Sequence, residues 1–306
     1  MVATTFAWRG PGPFNVRRRS KKYDRATEHA TGIAKDWGAE GTLVLMKSVR
    51  NTLRRFGVDL VRYRPENEVD RSALVFGALR ELRELSPGQE SSKFLKYCAQ
   101  NLHKSSAQFL QDLFVLYQLK QKRRGYFVEF GATDGVTLSN TYLLETDYQW
   151  TGILAEPARC WHAALKRNRR SEIDIRAVWG ESGLSLEFNE AAWPDLSTIN
   201  LFSKGDSHAA ARAQGKQYRV ESVSLNDLLR NYGAPQEIDY LSLDTEGSEF
   251  AILDRFDFEN YNVHVITVEH NFTPNRDRVL QLLSSNGYRR IFDRLSNCDD
   301  WYVKAS

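Results

Sequence analysis

Three short segments of this sequence carry residue types at spacings that could do chemistry. Asp244-Thr245-Glu246-Gly247-Ser248-Glu249 follows an apolar run and places three carboxylates within six residues. Acids favour the first turn of a helix, which accounts well for Glu249 and poorly for Asp244. Glu269-His270-Asn271 follows a second apolar run. If the two runs are neighbouring strands, Asp244, Glu246, Glu269, His270 and Asn271 converge on one cleft. Such a set could hold a general base, with Asp244 and His270 as the candidates, or a hard divalent cation through oxygen ligands. A purely structural histidine is the competing reading of His270.

The third segment is Glu129-Phe130-Gly131-Ala132-Thr133-Asp134-Gly135. Its two glycines permit a tight turn and let the backbone approach a ligand closely. The G-x-x-x-G spacing is neither the G-x-G-x-x-G of dinucleotide sites nor the Lys-bearing phosphate loop. An acid at the turn, with no anion-cradling signature, suits a cationic or zwitterionic ligand. S-adenosylmethionine, with its sulfonium and ammonium groups, fits; a plain strand–turn–helix connection is the alternative. Glu156 ends a further apolar run, where a carboxylate can accept both hydroxyls of a ribose. The alternative there is a solvated surface glutamate.

These residues need a scaffold that brings them to one edge. Tyr126–Phe130, Thr151–Ala155, Ile173–Val178, Ile238–Leu243 and Val263–Val268 read as strands. Thr137–Thr146, Ala158–Asn168, Leu225–Tyr232, Ser248–Phe256 and Asn275–Asn286 read as the helices between them. Leu184–Phe188 and Tyr218–Val223 read as partly exposed strands, and Tyr288–Asp293 with Asp300–Lys304 as a closing hairpin. Alternating strands and helices predict a mostly parallel sheet covered on both faces, with an antiparallel strand inserted at the end. In such a sheet ligands bind at the carboxyl ends of the strands, where the acids lie. Trp193–Gln217 is a long polar stretch, in or near which Trp193, Phe202, His208 and Tyr218 could form an acceptor lid or belong to an ordinary surface loop.

Upstream of Gly125 no strand-like run occurs. Ser72–Leu85, Ser91–Leu102 and Ser106–Lys122 read as helices. Gly41–Phe56 also has helical periodicity, with Leu43, Met46, Val49, Leu53 and Phe56 on one stripe and basic residues between them. It reads either as a helix on an anionic membrane surface or as one docked on the domain behind it. The expected organisation is a basic, poorly ordered segment over residues 1–40, a helical extension over 41–124 and an α/β domain over 125–306.

The chain has 306 residues, 42% hydrophobic and 26% charged, enough for a large packed core and too apolar for wholesale disorder. Cys98, Cys160 and Cys298 are too few and too scattered for a disulfide framework or a cysteine metal site. No run approaches the roughly 18 apolar residues of a membrane span, and no apolar signal region opens the chain. The expectation is a cytoplasmic protein, with peripheral membrane attachment open. The formal charge of +3 hides a split: residues 1–65 carry 14 Lys and Arg against 5 Asp and Glu, the remainder 28 against 34. The basic N-terminus could contact an anionic membrane or nucleic acid.

From Tyr126 to Ser306 the chain resembles the FkbM family of S-adenosylmethionine-dependent methyltransferases. The resemblance lies in Phe127–Gly135, Leu138-Ser-Asn-Thr141, Gly152-Ile-Leu-Ala-Glu-Pro157, Ser224–Leu229 and Asp239–Glu249, preceded by Gln111-Asp112-Leu113-Phe114-Val115. Family members often carry Lys-Ile-Asp-Val-Glu-Gly where this chain has Ser242-Leu243-Asp244-Thr245-Glu246-Gly247, so a serine replaces the lysine and the acids remain. The resemblance implies a Rossmann-like seven-stranded class I methyltransferase sheet with its last strand antiparallel. It implies that Glu129, Gly131 and Gly135 line the methionine end of the cofactor, with Asp134 and Asn140 counted among the cofactor residues. Glu156 would hold the ribose, Ala177 and Val178 would flank the adenine, and Asp244 and Glu246 would sit beside the transferred methyl.

Transfer to a hydroxyl also requires loss of its proton, by a base or with a metal. By analogy with some small-molecule O-methyltransferases, Asp244, Glu269 and Asn271 could bind Mg²⁺. A nucleobase amine is disfavoured because the turn is Asp244-Thr-Glu-Gly rather than an Asn/Asp-Pro-Pro-aromatic turn. The leading expectation is an O-methyltransferase acting on a sugar, glycan or related metabolite. A nucleic-acid or protein methyltransferase, and a non-catalytic binding protein on the same fold, are the alternatives.

Overall fold

The computed structural model describes residues 89–203 and 209–305. The helices expected at Gly41–Phe56 and Ser72–Leu85, and the basic segment before them, lie outside the described residues. In chain order come α1 (Glu90–Asn101), α2 (Gln111–Gln118), β1 (Tyr126–Phe130), α3 (Tyr142–Tyr148), β2 (Thr151–Ala155), α4 (His162–Asn168) and β3 (Glu172–Asp174). Next are β4 (Ala177–Trp179), β5 (Ser185–Glu190), β6 (Thr198–Ile199), α5 (Ala209–Arg212) and β7 (Lys216–Ser224). The chain continues through α6 (Leu225–Asn231), β8 (Glu237–Leu243), α7 (Glu249–Leu253), β9 (Asn262–Glu269), α8 (Asn275–Ser285), β10 (Tyr288–Ile291) and β11 (Asp299–Lys304).

The main sheet has seven strands in the order β10-β11-β9-β8-β1-β2-β3. β3, β2, β1, β8 and β9 run parallel, and β11 is antiparallel to both of its neighbours. The central strands read as almost continuous apolar runs because both faces are covered. Their period of two divides the core. Val128, Ile153, Leu241 and Ile266 pack with Leu228, Leu253 and Val279 on one face. Phe127, Leu154, Tyr240, Val265 and Trp301 pack with Phe94, Phe114 and Leu144 on the other. Glu129 and Ser242 are register partners, as are Ser242 and Thr267, so these three form a polar row across the central strands. A second sheet, in the order β4-β7-β5-β6, is inserted between β3 and β8.

Several boundaries differ from expectation, each for a local reason. The apolar core of the sheet begins upstream of Gly125, because α1 and α2 pack into it. Phe114 stacks on Trp301 with centroids 4.5 Å apart, and Phe94 stacks on Phe292 at 4.8 Å. α2 is shorter than Ser106–Lys122, since Ser105 Oγ and Ser106 N donate to the Asp112 carboxylate instead of continuing a helix. α3 starts at Tyr142 rather than Thr137, because Val136 and Thr137 donate to Asp134 and Asn140 N donates to Glu129. Ile173–Val178 is two strands, not one. Asp174 accepts from Arg176 N and from its guanidinium, a turn that carries Ala177 into the second sheet. Trp193–Gln217, read as a long polar stretch, holds among its described residues β6, α5 and two short 3₁₀ turns at Pro194–Leu196 and Asn200–Phe202, while His208 lies outside the described residues. Among the described residues no helix is long and apolar enough to cross a membrane.

Candidate functional site

The chain leaves β1 outward through β2 to β3, then returns to place β8 on the other side of β1. Strand order therefore reverses between β1 and β8, and the carboxyl ends of these strands form the crevice in which open α/β sheets bind ligands. Gly131 follows β1 with φ +74°, and a Cβ there would lie 2.0 Å from the Asp244 carbonyl oxygen. A glycine is thus required both for the backbone conformation and for the close approach. Gly131 N also donates to Ala155 O at 3.1 Å, joining the turn to β2.

Glu129, the acid at this turn expected to suit a cationic ligand, already has a cation inside the protein. Its buried carboxylate accepts from Ser139 Oγ, Asn140 N and Thr141 Oγ1, and Arg169 Nη1 lies 3.6 Å away. The side chains of Arg169 and Glu129 are 0% and 3% exposed, so the charge is balanced inside the protein. Arg169 further donates to Gly135 O, Ser139 Oγ and Thr141 Oγ1, and pairs with Glu145 at 3.1 Å. Gly135, φ +79°, leaves the space this arginine fills; a Cβ would meet Arg169 Cγ at 2.5 Å. Asp134 accepts from Val136 N, Thr137 N and Thr137 Oγ1, and so shapes the turn.

Asn140 and Glu156 each retain hydrogen-bonding capacity at these turns. Asn140 Nδ2 donates to Ser242 Oγ at 2.9 Å across the β1–β8 junction, and its Oδ1 is buried without a partner. Glu156 accepts from Thr133 N at 2.8 Å and Ala158 N at 2.7 Å, which fixes the carboxylate between the turns after β1 and β2. Burial pushes its carboxyl up to about 7, against the lowering effect of those two N–H donors. Two hydrogen bonds leave acceptor capacity on a carboxylate. Ala177 and Val178 are packed in apolar clusters, Ala177 with Ala158 and Phe188, Val178 with Val223 and Leu225.

Asp244, Glu246 and Glu269 come together after β8 and β9, each offering an oxygen within 4.8 Å of the others. Burial is the main force holding the Asp244 carboxyl up at about 7, with Glu249, Glu129 and Asp195 adding like charge. A hydrogen bond between the Asp244 and Glu269 carboxyls acts the other way, and Glu269 is itself raised well above the usual range by burial and by Asp244. Glu246 is engaged: Arg212 Nη2 donates to Oε2 at 2.7 Å, and Asn271 Nδ2 to the same oxygen at 3.1 Å. Asn271 therefore presents its amide N–H₂ to an acid. Glu249 accepts from Thr245 N, Thr245 Oγ1 and Gly247 N, the helix-start role expected of it.

The structure does not support His270 as a base for this cluster. Its Nδ1 accepts from Phe272 N at 3.0 Å, and its buried Nε2 lies 3.9 Å from Asp300 Oδ1, itself paired with Arg276 and Arg290. Burial lowers the imidazole to about 4, so it is neutral, with its acceptor nitrogen already used. Sequence reasoning missed Arg169, Arg212 and Asp299. Arg169 is hidden in a basic run, and Arg212 in the long polar stretch. Asp299 opens β11, accepts from Gln111 Nε2 at 2.7 Å and is held up at about 8 by burial and by Asp244. The Gln111-Asp112 lead-in was the available pointer to it.

The turns after β1, β2, β8 and β9 thus carry an orphaned buried acceptor, Asn140 Oδ1, and carboxyls that burial holds above their usual range. A cationic cofactor with a ribose is chemically compatible with these residues, since positive charge offsets carboxylates and hydroxyls can donate to them. A parallel sheet with one antiparallel strand and a crevice of this kind is that of a class I S-adenosylmethionine-dependent methyltransferase. Residues 129–290, more than half of the chain, match the methyltransferase FkbM domain, and the chain belongs to the FkbM methyltransferase family. Among solved structures it is similar to precorrin-6y C5,15-methyltransferase from Geobacter metallireducens GS-15, with TM-score 0.34, 11% identity, and coverage of 64% of this chain and 87% of that one. A candidate RNA methyltransferase from Pyrococcus horikoshii gives TM-score 0.32, 11% identity, and coverage of 72% and 86%. No curated protein matches the chain.

Proposed function

We propose that the protein methylates a hydroxyl of a sugar, glycan or related metabolite. The observation that carries this reading is the Asp244–Glu269 pair, whose raised carboxyls come together at the carboxyl ends of β8 and β9. An alcohol must lose a proton as its oxygen attacks, and a base with a pKa near the working pH does this best. Asp244, held up at about 7, is a far better proton acceptor than an ordinary aspartate. Glu269, raised well above the usual range, donates a hydrogen bond to the Asp244 carboxylate and holds it as the acceptor. Arg212 balances Glu246, so that only part of the cluster's charge is available for proton transfer.

Bound S-adenosylmethionine supplies a methyl group already activated on a sulfonium, so catalysis rests on positioning and proton removal. Glu156 would hold its ribose hydroxyls, and Asn140 Oδ1 with the Gly131 turn would receive its methionine end. Asp244, Glu246 and Glu269 also have the oxygen ligands of a hard cation such as Mg²⁺. Glu246 already accepts from Arg212 and Asn271, and this favours a reaction run by the carboxyls themselves.

An acceptor screen with methyl-labelled S-adenosylmethionine tests the proposal, with glycans and nucleotide sugars first. Label recovered as an acid-stable, base-stable methyl ether supports it. Label transferred only to RNA or protein overturns the hydroxyl-metabolite reading. Loss of turnover in EDTA, restored by Mg²⁺, would assign a metal to the acids.

A further inference from the structure

A cavity of about 360 Å³ opens beside Gly247, the residue after Glu246. Its walls are aromatic: Trp179 at the end of β4, Phe202 from the second 3₁₀ turn, and Phe250 from α7. The Trp179 and Phe202 rings are 5.8 Å apart and inclined at 51°, so they meet at an open angle. Arg278 lies over Phe250, its guanidinium carbon 3.7 Å from the ring centre. Exposed Glu181, Asp254 and Arg255 bring charges of both signs to the rim. Gly247 has φ +124°, and a Cβ there would lie 2.9 Å from Phe202, so the missing side chain seats Phe202 against the loop that carries Glu246.

A pyranose ring has a face of C–H bonds and an edge of hydroxyls that both donate and accept. Its C–H face is attracted to the negative face of an aromatic ring. Carboxylates and guanidinium groups at the rim match vicinal hydroxyls as acceptors and donors. A hydrocarbon ligand would instead leave those rim charges to be desolvated without partners. A nucleobase could stack here too, but the group suited to the cofactor's ribose, Glu156, follows β2 and does not line this cavity. The volume lies at the small end of ligand cavities, roughly 300–1,000 Å³.

We propose that this cavity is the subsite that seats a pyranose ring of the methyl acceptor. The inference rests on the sugar-hydroxyl reading above and gives that reading its residues. The test is binding of the whole protein to an array of neutral and acidic oligosaccharides, followed by calorimetry with the best-bound one. Trp179→Ala and Phe202→Ala should each weaken that oligosaccharide about tenfold or more, the loss of one aromatic contact. Trp179→Phe should retain most of the affinity, and S-adenosylmethionine affinity should stay within twofold in all three. Should a wall variant fail to fold, Asp254→Ala and Arg255→Ala at the exposed rim replace it, with the same weakening expected. Oligosaccharide binding unchanged across wall and rim variants overturns the subsite and leaves the sugar reading standing. No oligosaccharide bound or methylated by the native protein, with normal cofactor binding, overturns the sugar reading itself. Uridine or adenosine bound in place of oligosaccharides, and lost with Trp179→Ala, overturns the pyranose assignment in favour of a nucleobase.

Discussion

Gly131 and Asp244 touch backbone to backbone where β1 and β8 end, so closely that a β-carbon on Gly131 would lie 2.0 Å from the Asp244 carbonyl oxygen. Whatever displaces one displaces the other, and the turn after β1 and the acids after β8 form one rigid unit. Gly131→Ala should therefore cost about 2–4 kcal/mol, from left-handed backbone strain and overpacking together. Urea unfolding with calorimetry of S-adenosylmethionine checks it. Unchanged stability and affinity would mean that the two turns separate freely.

Asp244→Asn should lower kcat by about 10²–10⁴ and leave cofactor affinity within a few-fold, since it removes the base and keeps the shape. The pH–rate profile of the native enzyme should rise through a limb near 7, where burial and like charge hold the Asp244 carboxyl. That limb should vanish in Asp244→Asn and persist in His270→Gln, because His270 titrates near 4 and its Nδ1 is occupied. Near-normal turnover of Asp244→Asn would reject the base assignment.

The Arg212–Glu246 pair has side chains 0% and 7% exposed. Arg212→Met leaves a buried carboxylate without its cation and should destabilise by about 3–5 kcal/mol. The double variant Arg212→Met, Glu246→Gln should recover much of that loss. A double-mutant cycle by thermal unfolding measures the coupling, and strict additivity would show that the pair is energetically idle.

Stability should fall as pH rises from about 5 to about 8. Burial raises Asp112 to about 6, Glu156 and Asp244 to about 7, and Asp299 to about 8. A raised carboxyl contributes fully below its unfolded value near 4 and loses that contribution as pH climbs through its folded value, at up to about 1.4 kcal/mol per pH unit for each proton. His270 acts oppositely, being lowered, and costs stability only as pH falls below about 6.5. Differential scanning calorimetry across this range should show the decline, with S-adenosylmethionine binding more tightly at pH 8 than at pH 6. A flat profile would mean that these carboxyls are ionised without penalty.

The strands were legible because each central one is buried on both faces, so its apolar run is unbroken. Asp244, Glu246 and Glu269 were legible as a cluster for the same reason: acids abruptly ending such runs have few structural excuses. What escaped was decided by side-chain reach. Nothing near Glu129 announces that Arg169, forty residues later, closes over it. Nothing near His270 announces Asp300, thirty residues later, as a neighbour of its ring. The split of Ile173–Val178 turns on one Asp174–Arg176 contact inside a run that otherwise reads as continuous.

β11 is last in chain order yet lies between β9 and β10, and its Trp301 is 1% exposed against Phe94 and Phe114 from α1 and α2. As the polypeptide leaves the ribosome, α1 and α2 emerge some two hundred residues before Trp301, the ring against which Phe94 and Phe114 pack. Completion of the sheet therefore waits for the C-terminus, and a nascent chain halted before Asp299 would expose an unpaired β9 edge and the part of the aromatic cluster that Trp301 covers.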